Sequence, residues 1–295
     1  MKNKKHADEF INKLSIKDRI ATYKKNPVSF IIFILVILAI SATIISLVFI
    51  IGYILINGVP YLTPSLFSFN YTSENSSLMP ALVTTFYMVG LSLLIAVPIG
   101  IFCAVYLVEY AKRNNRLVKY IRITTETLAG IPSIVYGLFG MLFFVTTLGW
   151  KFSLLSGAFT VSIMILPLII RSTEEALKAV PDSYREGAYG LGATRLRTVF
   201  GVVMPSAIPG ILAGVILAVG RIIGETAALI YTAGTVAKIP SSVFESGRTL
   251  ATHMYVLASE GLKTKQAYAT AVVLLILIVV LNALASFIAK KLTKK

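Results

Sequence analysis

Few side chains in this sequence could do chemistry away from water, and two of them stand together. Arg221 and Glu225 lie four residues apart in the run Gly220-Arg-Ile-Ile-Gly-Glu-Thr-Ala-Ala-Leu-Ile-Tyr-Thr-Ala-Gly234, which is otherwise almost hydrocarbon. At helical spacing they share one face and compensate each other, so one reading is an ion pair that holds two helices together. The other is an anion path. A guanidinium offers five donors in a planar fork suited to phosphate or another oxyanion, and a nearby carboxylate can aim it while leaving donors free. Arg171 is a candidate second basic stop further inward. Arg122 and Glu126 repeat the spacing close to a polar stretch, where long side chains reach water, and read as structural.

Other chemistries are poorly supplied. His6 and His253 are the only histidines and Cys103 the only cysteine, which argues against a zinc site, an intrachain disulfide or histidine-based catalysis. No G-x-x-x-x-G-K-[ST] string is present, so nucleotide hydrolysis has no place in this chain. The expectation is a non-catalytic protein without a cofactor of its own.

The elements that must position Arg221 are set by solvent. A chain of 295 residues with 56% hydrophobic and 14% charged side chains, at a mean hydropathy of +0.81, has more apolar surface than a water-soluble domain could bury. Its long uncharged runs fit an all-α polytopic membrane protein with six transmembrane helices, at about 28–56, 80–108, 125–147, 154–172, 203–232 and 268–289. Gly and Pro concentrate in the later spans and read mainly as packing positions.

Lys and Arg set the orientation. With both termini cytoplasmic, 21 of the 28 fall on the inside and 5 on the outside, with Arg122 and Arg221 within spans. The organisation is then a cytoplasmic tail 1–27, a first span 28–56 that is not a cleaved signal, and an extracytoplasmic loop 57–79. A core 80–289 follows, with a cytoplasmic loop 173–202, and a cytoplasmic end 290–295. The net charge of +15 sits beside the spans, where anionic lipid headgroups attract it, so membrane lipids are partners and nucleic acid is not. The outer segment 233–265 should hold an amphipathic surface helix, with Leu250, Met254 and Leu257 opposite Arg248 and Thr252.

The loop Val180–Pro205 carries the most specific signal. Pro181 with Asp182 or Ser183 starts a short helix to about Tyr189; Gly190 and Gly192 break it; Thr194 caps the next. The product is a bent helix pair with small residues Gly187 and Ala188 at its tip, shaped to dock in a cleft of another protein.

These residues resemble the permeases of binding-protein-dependent ABC importers. That family carries E-A-A, three residues, G, nine residues, then I-x-L-P; here stand Glu186-Gly187-Ala188, then Gly192, then Val202-Val203-Met204-Pro205. Gly187, Val202 and Met204 depart from the pattern while keeping size or polarity, although Gly187 loosens its helix by up to about 1 kcal/mol relative to Ala. The Gly220–Gly234 run and Thr127-Leu-Ala-Gly-Ile-Pro-Ser-Ile-Val-Tyr-Gly-Leu-Phe-Gly140 are similar to the A-type permeases of phosphate-specific ABC importers, over roughly residues 78–288.

The resemblance implies a type I ABC importer permease fold, with Glu186, Gly187, Ala188 and Gly192, closed by Pro205, as the contact to an ATPase. Arg221, Glu225 and Arg171 keep the place along a substrate path that their own chemistry suggests. The implied partners are a sister C-type permease, two ABC ATPase subunits carrying ATP and Mg, and an extracytoplasmic phosphate-binding protein. The alternatives are a permease for another oxyanion, such as phosphonate or sulfate, and a secondary anion transporter.

Overall fold

A computed structural model of the chain describes residues 27–111, 116–261 and 263–293. The expected tail, apart from Pro27, lies outside the described residues. Among them the regular structure is helical and no strand occurs. Helix α1 (Pro27–Gly58) is apolar on every face, as suits a helix surrounded by hydrocarbon. Its residues to Ile56 belong to one compact unit, and Asn57–Lys295 form a second.

The second unit contains α2 (Met79–Val105), extended by a π-helical turn over Tyr106–Tyr110; α3 (Arg116–Ala129); and α4 (Ser133–Gly140), extended by a π segment over Met141–Thr147. Helix α5 (Leu154–Lys178) follows, then α6 (Asp182–Gly190) and α7 (Arg195–Thr198). A π turn, Val199–Val203, joins α7 to α8 (Met204–Gly224). One-turn helix α9 (Ala227–Ile230), α10 (Leu250–Ser259) and α11 (Thr264–Thr293) complete it.

Five helical stretches are long and apolar enough to cross a membrane: Val28–Tyr61, Met79–Tyr110, Leu154–Lys178, Arg195–Gly224 and Thr264–Phe287. The sixth is a bent pair, Val118–Ala129 with Ser133–Thr147, turned by 103° at the break. The sequence placed one continuous span at 125–147. Pro132 explains the difference, because it holds Ile131 out of the helical region and has no N–H to continue the ladder. The Leu128 carbonyl, which has no i+4 N–H partner at Pro132, accepts the Ile131 N–H at 3.2 Å and the buried Tyr136 hydroxyl at 2.8 Å, so the bend is closed in part by the helix it leads into.

Helix α5 is the hub. It packs along α2 and α8, burying Met88, Ala158, Val161, Ile165, Ile222 and Leu229 in one apolar cluster. Nearer the α6 loop a second cluster gathers Ala104, Leu177, Val199, Val203 and Ala207. A Cβ at Gly214 would collide with Ser172, and one at Gly210 would stand 2.6 Å from the Ala176 Cβ. The α5–α8 backbones are therefore close enough to move together.

Candidate functional site

The expected ion pair between Arg221 and Glu225 does not form. Helix α8 stops at Gly224, Glu225 takes an extended conformation (φ −73°, ψ 126°), and the expected span to 232 is cut there. Glu225 turns inward, is 8% exposed, and its Oε1 accepts the Ala228 N–H at 3.0 Å. It caps α9, a position where a carboxylate satisfies a free donor and meets the positive end of the helix. The run is thus two helical pieces, and the i, i+4 relation that would pair the charges is lost. Arg221 is exposed on α8, within electrostatic reach of Tyr136 beside the α3–α4 bend, and makes no ion pair among the described residues.

Arg171 stands apart. It lies on α5 next to Ser172, which faces Gly214, so it is roughly 10 Å from Arg221 along the helix axis at 1.5 Å per residue. Its Nε donates to Glu175 Oε1 at 3.1 Å in an exposed pair of little energetic value. Both line a cavity of about 270 Å³ with Arg122, Glu126, Glu174 and Lys178. Arg122 pairs across helices with Glu174 at 2.6 Å, in place of the expected Glu126, and Lys178 reaches the same Glu174 at 2.6 Å.

The α6 loop has the bent form read from its sequence. Helix α6 runs Asp182–Gly190, Gly192 takes φ +81°, and the Thr194 side chain accepts the Arg197 N–H to cap α7. Glu186 and Gly187 are exposed, Ala188 is half-buried, and a Cβ at Gly187 or Gly192 would meet nothing within 4 Å. Leu191, 91% exposed, stands at the tip with the exposed Tyr184, Tyr189 and Leu196. Together they make an exposed apolar projection, larger than single scattered surface residues. Pro205 is exposed near the start of α8, inside the continuous stretch Arg195–Gly224, so the loop feeds directly into the helix that carries Arg221.

What fixes this loop was not read from the sequence. Arg185 Nε and Nη2 donate to Glu109 Oε1 at 3.1 and 2.7 Å, Nη2 also to Leu177 O at 2.9 Å, and Nη1 to Val180 O and Asp182 Oδ1 at 2.8 and 3.1 Å. Hydrogen bonding to Glu109, with the attraction of that carboxylate, raises the Arg185 pKa against the opposing cost of burial. Arg195 donates to the Glu109 carbonyl and lies over the Tyr110 ring. Positive-inside charge already accounted for both arginines, which hid their role; the available signal was Glu109 itself, an acid next to a basic stretch.

The outer segment also differs. Helix α10 forms, but Arg248, Thr252 and His253 are buried, so it is not an amphipathic surface helix with its polar side in water. The reason is that its polar side packs on the 62–85 segment, where the Leu250 N–H donates to Thr85 Oγ1 at 2.9 Å.

The sequence matches a known family over most of the helical core. Residues 96–295 match the binding-protein-dependent transport system inner membrane component family. The chain belongs to that family. It is a permease subunit of an ABC importer, a multi-pass membrane protein whose chemistry-driving ATPase is a separate subunit. It is 36% identical to the probable ABC transporter permease protein YqgI of Bacillus subtilis, covering 83% of this chain and 89% of that protein.

It is also 36% identical to the phosphate transport system permease protein PstA of Pasteurella multocida, covering 64% of this chain and 71% of that protein. With PstA 1 of Mycobacterium tuberculosis it is 38% identical, over 56% of this chain but only 53% of the relative. Solved structures show the type I permease fold. A bacterial alginate ABC transporter chain superposes with TM-score 0.68 at 16% identity over 92% of this chain and 98% of its own. An inward-facing MetNI methionine transporter chain gives 0.58 at 20% identity over 73% and 94%.

Proposed function

We propose that this chain forms, with a sister C-type permease, the path by which inorganic phosphate enters the cytoplasm. In this reading two ABC ATPase subunits carry ATP and Mg, and an extracytoplasmic phosphate-binding protein delivers the substrate. The observation that carries the reading is the state of Arg221: exposed, unpaired among the described residues, and set on a spanning helix beside a broken one. A guanidinium inside a membrane is retained where it meets a partner or an aqueous path. With Glu225 engaged at α9, its donors are available to an oxyanion. The likeness to PstA proteins favours phosphate among oxyanions.

Both termini are cytoplasmic on the distribution of Lys and Arg, which puts α6 inside and α10 outside. Glu186, Gly187, Ala188 and Gly192 then form the ATPase contact, and Pro205 stands where that contact passes into α8. Arg171, engaged with Glu175 on the inner half of α5, is a secondary stop for an anion moving inward.

The test is Arg221→Gln at normal membrane abundance. Loss of a charge-assisted contact should cut phosphate uptake by about tenfold or more. Unchanged uptake refutes the path. Competition by sulfate or phosphonate equal to that by phosphate would refute the substrate while keeping the path.

A further inference from the structure

The end of α2, the start of α3, the end of α5 and the α6–α7 loop frame a cavity of about 610 Å³. Its charged lining is Glu109, Arg122, Lys178, Asp182, Arg185 and Arg195, four cations against two acids. Arg185 is not free to bind anything further. Its five N–H groups go to Glu109 twice, to Asp182, and to the Leu177 and Val180 carbonyls, so it holds the wall and occupies Glu109 in doing so.

The other three cations have donors to spare. Arg122 Nη2 on α3 and Lys178 Nζ on α5 both give to one oxygen, Glu174 Oε1, each at 2.6 Å, so a single carboxylate offsets two charges. Arg195 donates to the Glu109 carbonyl and lies over the Tyr110 ring, contacts that leave its charge in place, and it pairs with no acid among the described residues. With Glu174 counted, four cations meet three acids, and Asp182, whose side chain is 88% exposed, is the acid that water screens most. The sequence adds to the excess: from Tyr110 to Thr125 it has no acid and five cations, Arg122 among them.

Arg122, Lys178 and Arg195 are exposed, so these donors are open to a ligand, and beside them Leu107, Val108 and Val118 give the cavity an apolar wall. Basic donors next to an apolar wall suit an organic phosphate, whose oxygens meet the cations and whose carbon part meets the wall. The volume would hold on the order of twenty waters, far more than one inorganic phosphate fills. Helix α3 buries Val118 and leaves Tyr120 and Ile123 exposed on its other side, as a helix at a membrane boundary does. Basic pockets between spanning helices take lipid headgroups. We propose that this cavity holds the phosphate group of an anionic phospholipid from the leaflet on the α6 side, with Arg122, Lys178 and Arg195 as its donors. Bound there, the headgroup ties α3 and α5 to the start of α7. The site does not involve Arg221 and does not rest on the identity of the cargo. Inorganic phosphate carries the same charge chemistry, and the experiment separates the two sources.

The full chain, purified in a non-ionic detergent with whatever subunits accompany it, is unfolded thermally at constant ionic strength while short-chain phosphatidylglycerol, short-chain phosphatidylcholine or inorganic phosphate is titrated in. Phosphatidylglycerol should raise the unfolding temperature by about 5 °C at hundredfold saturation, and phosphatidylcholine of the same chain length should not. Lys178→Gln leaves Glu174 paired with Arg122, so the fold should persist while the apparent affinity for phosphatidylglycerol weakens about tenfold. Arg195→Gln, on a separate element, should weaken it by a similar factor, and Arg221→Gln should leave it unchanged. No rise with phosphatidylglycerol, an equal rise with phosphatidylcholine, or an affinity that neither Lys178→Gln nor Arg195→Gln moves overturns the proposal. A loss of affinity in Arg221→Gln also overturns it, by placing the lipid at α8. An equal rise with inorganic phosphate overturns the lipid as the source and gives the same donors to the free anion.

Discussion

The Arg185–Glu109 contact offers the sharpest stability experiment. The Glu109 side chain is 6% exposed and that of Arg185 14%, so neither has water to fall back on if the other is removed. Arg185→Met deletes both bonds to Glu109 and the bonds to the Leu177 and Val180 carbonyls, and leaves a buried carboxylate without a counter-charge. Breaking one side of such a pair costs about 3–5 kcal/mol. Glu109→Gln should cost less, because the neutral amide still accepts from the guanidinium. The double variant Glu109→Gln/Arg185→Met removes the stranded charge, so it should recover about 2 kcal/mol relative to the sum of the single changes.

Thermal unfolding of the four proteins gives the cycle, and limited proteolysis of the 181–194 loop reports whether α6 has come loose. Arg185→Met should expose the loop to protease and depress ATP-driven uptake. Additive costs in the cycle, or an α6 as protected as in the wild type, would refute the view that this contact seats the loop.

Three further outcomes are expected. Gly187→Trp adds a side chain where a Cβ meets nothing within 4 Å, so folding should persist while ATP-driven transport is lost; normal transport contradicts the docking role. Gly214→Ala forces α8 off Ser172 and should destabilise the protein by about 1–3 kcal/mol, read as a lower unfolding temperature that Ser172→Gly partly restores. His253, near 6.5 when unfolded and pushed down to about 3 when folded by burial and then by the Arg248 charge, binds its proton only in the unfolded state between those values, so stability is lost as pH falls from about 6.5. The loss should reach about 2 kcal/mol at pH 5 and be absent in His253→Leu, measured as unfolding temperature against pH.

The hydrocarbon runs and the α6 loop were legible because their signals are local. Apolar length alone defines a span, and Pro181, Gly190, Gly192 and Thr194 punctuate the loop through their own backbone preferences. Arg221 stood out for its chemistry, but its relation to Glu225 was misread. Four-residue spacing implies a shared face only while the helix continues, and nothing in Gly224-Glu225-Thr226 announces a stop as plainly as a proline does. The bend in the third span did carry such a signal, Gly130-Ile131-Pro132, which a hydropathy count averages away. Pairs such as Arg122–Glu174 and Arg185–Glu109 join residues 52 and 76 positions apart, and helix packing rather than spacing brings them together.

The loop and the arginine are ends of one object. From Arg195 to Arg221 the chain is helical without interruption, roughly 40 Å at 1.5 Å per residue, and Gly210 and Gly214 lock that helix against α5. A force applied at α6 therefore reaches Arg221 through a packed pair of helices, which resists bending along its length. Compliance lies at the two places where helical bonding is already broken: Glu225–Thr226 just beyond Arg221, and Gly130–Pro132 next to Tyr136. Both flank the guanidinium. With Glu225 bonded across one of these breaks, to Ala228, the carboxylate is better placed to restrain α9 than to neutralise the arginine. Its nearness in sequence to Arg221 then reflects the position of the joint, and the charge it leaves uncompensated is the one an anion would meet.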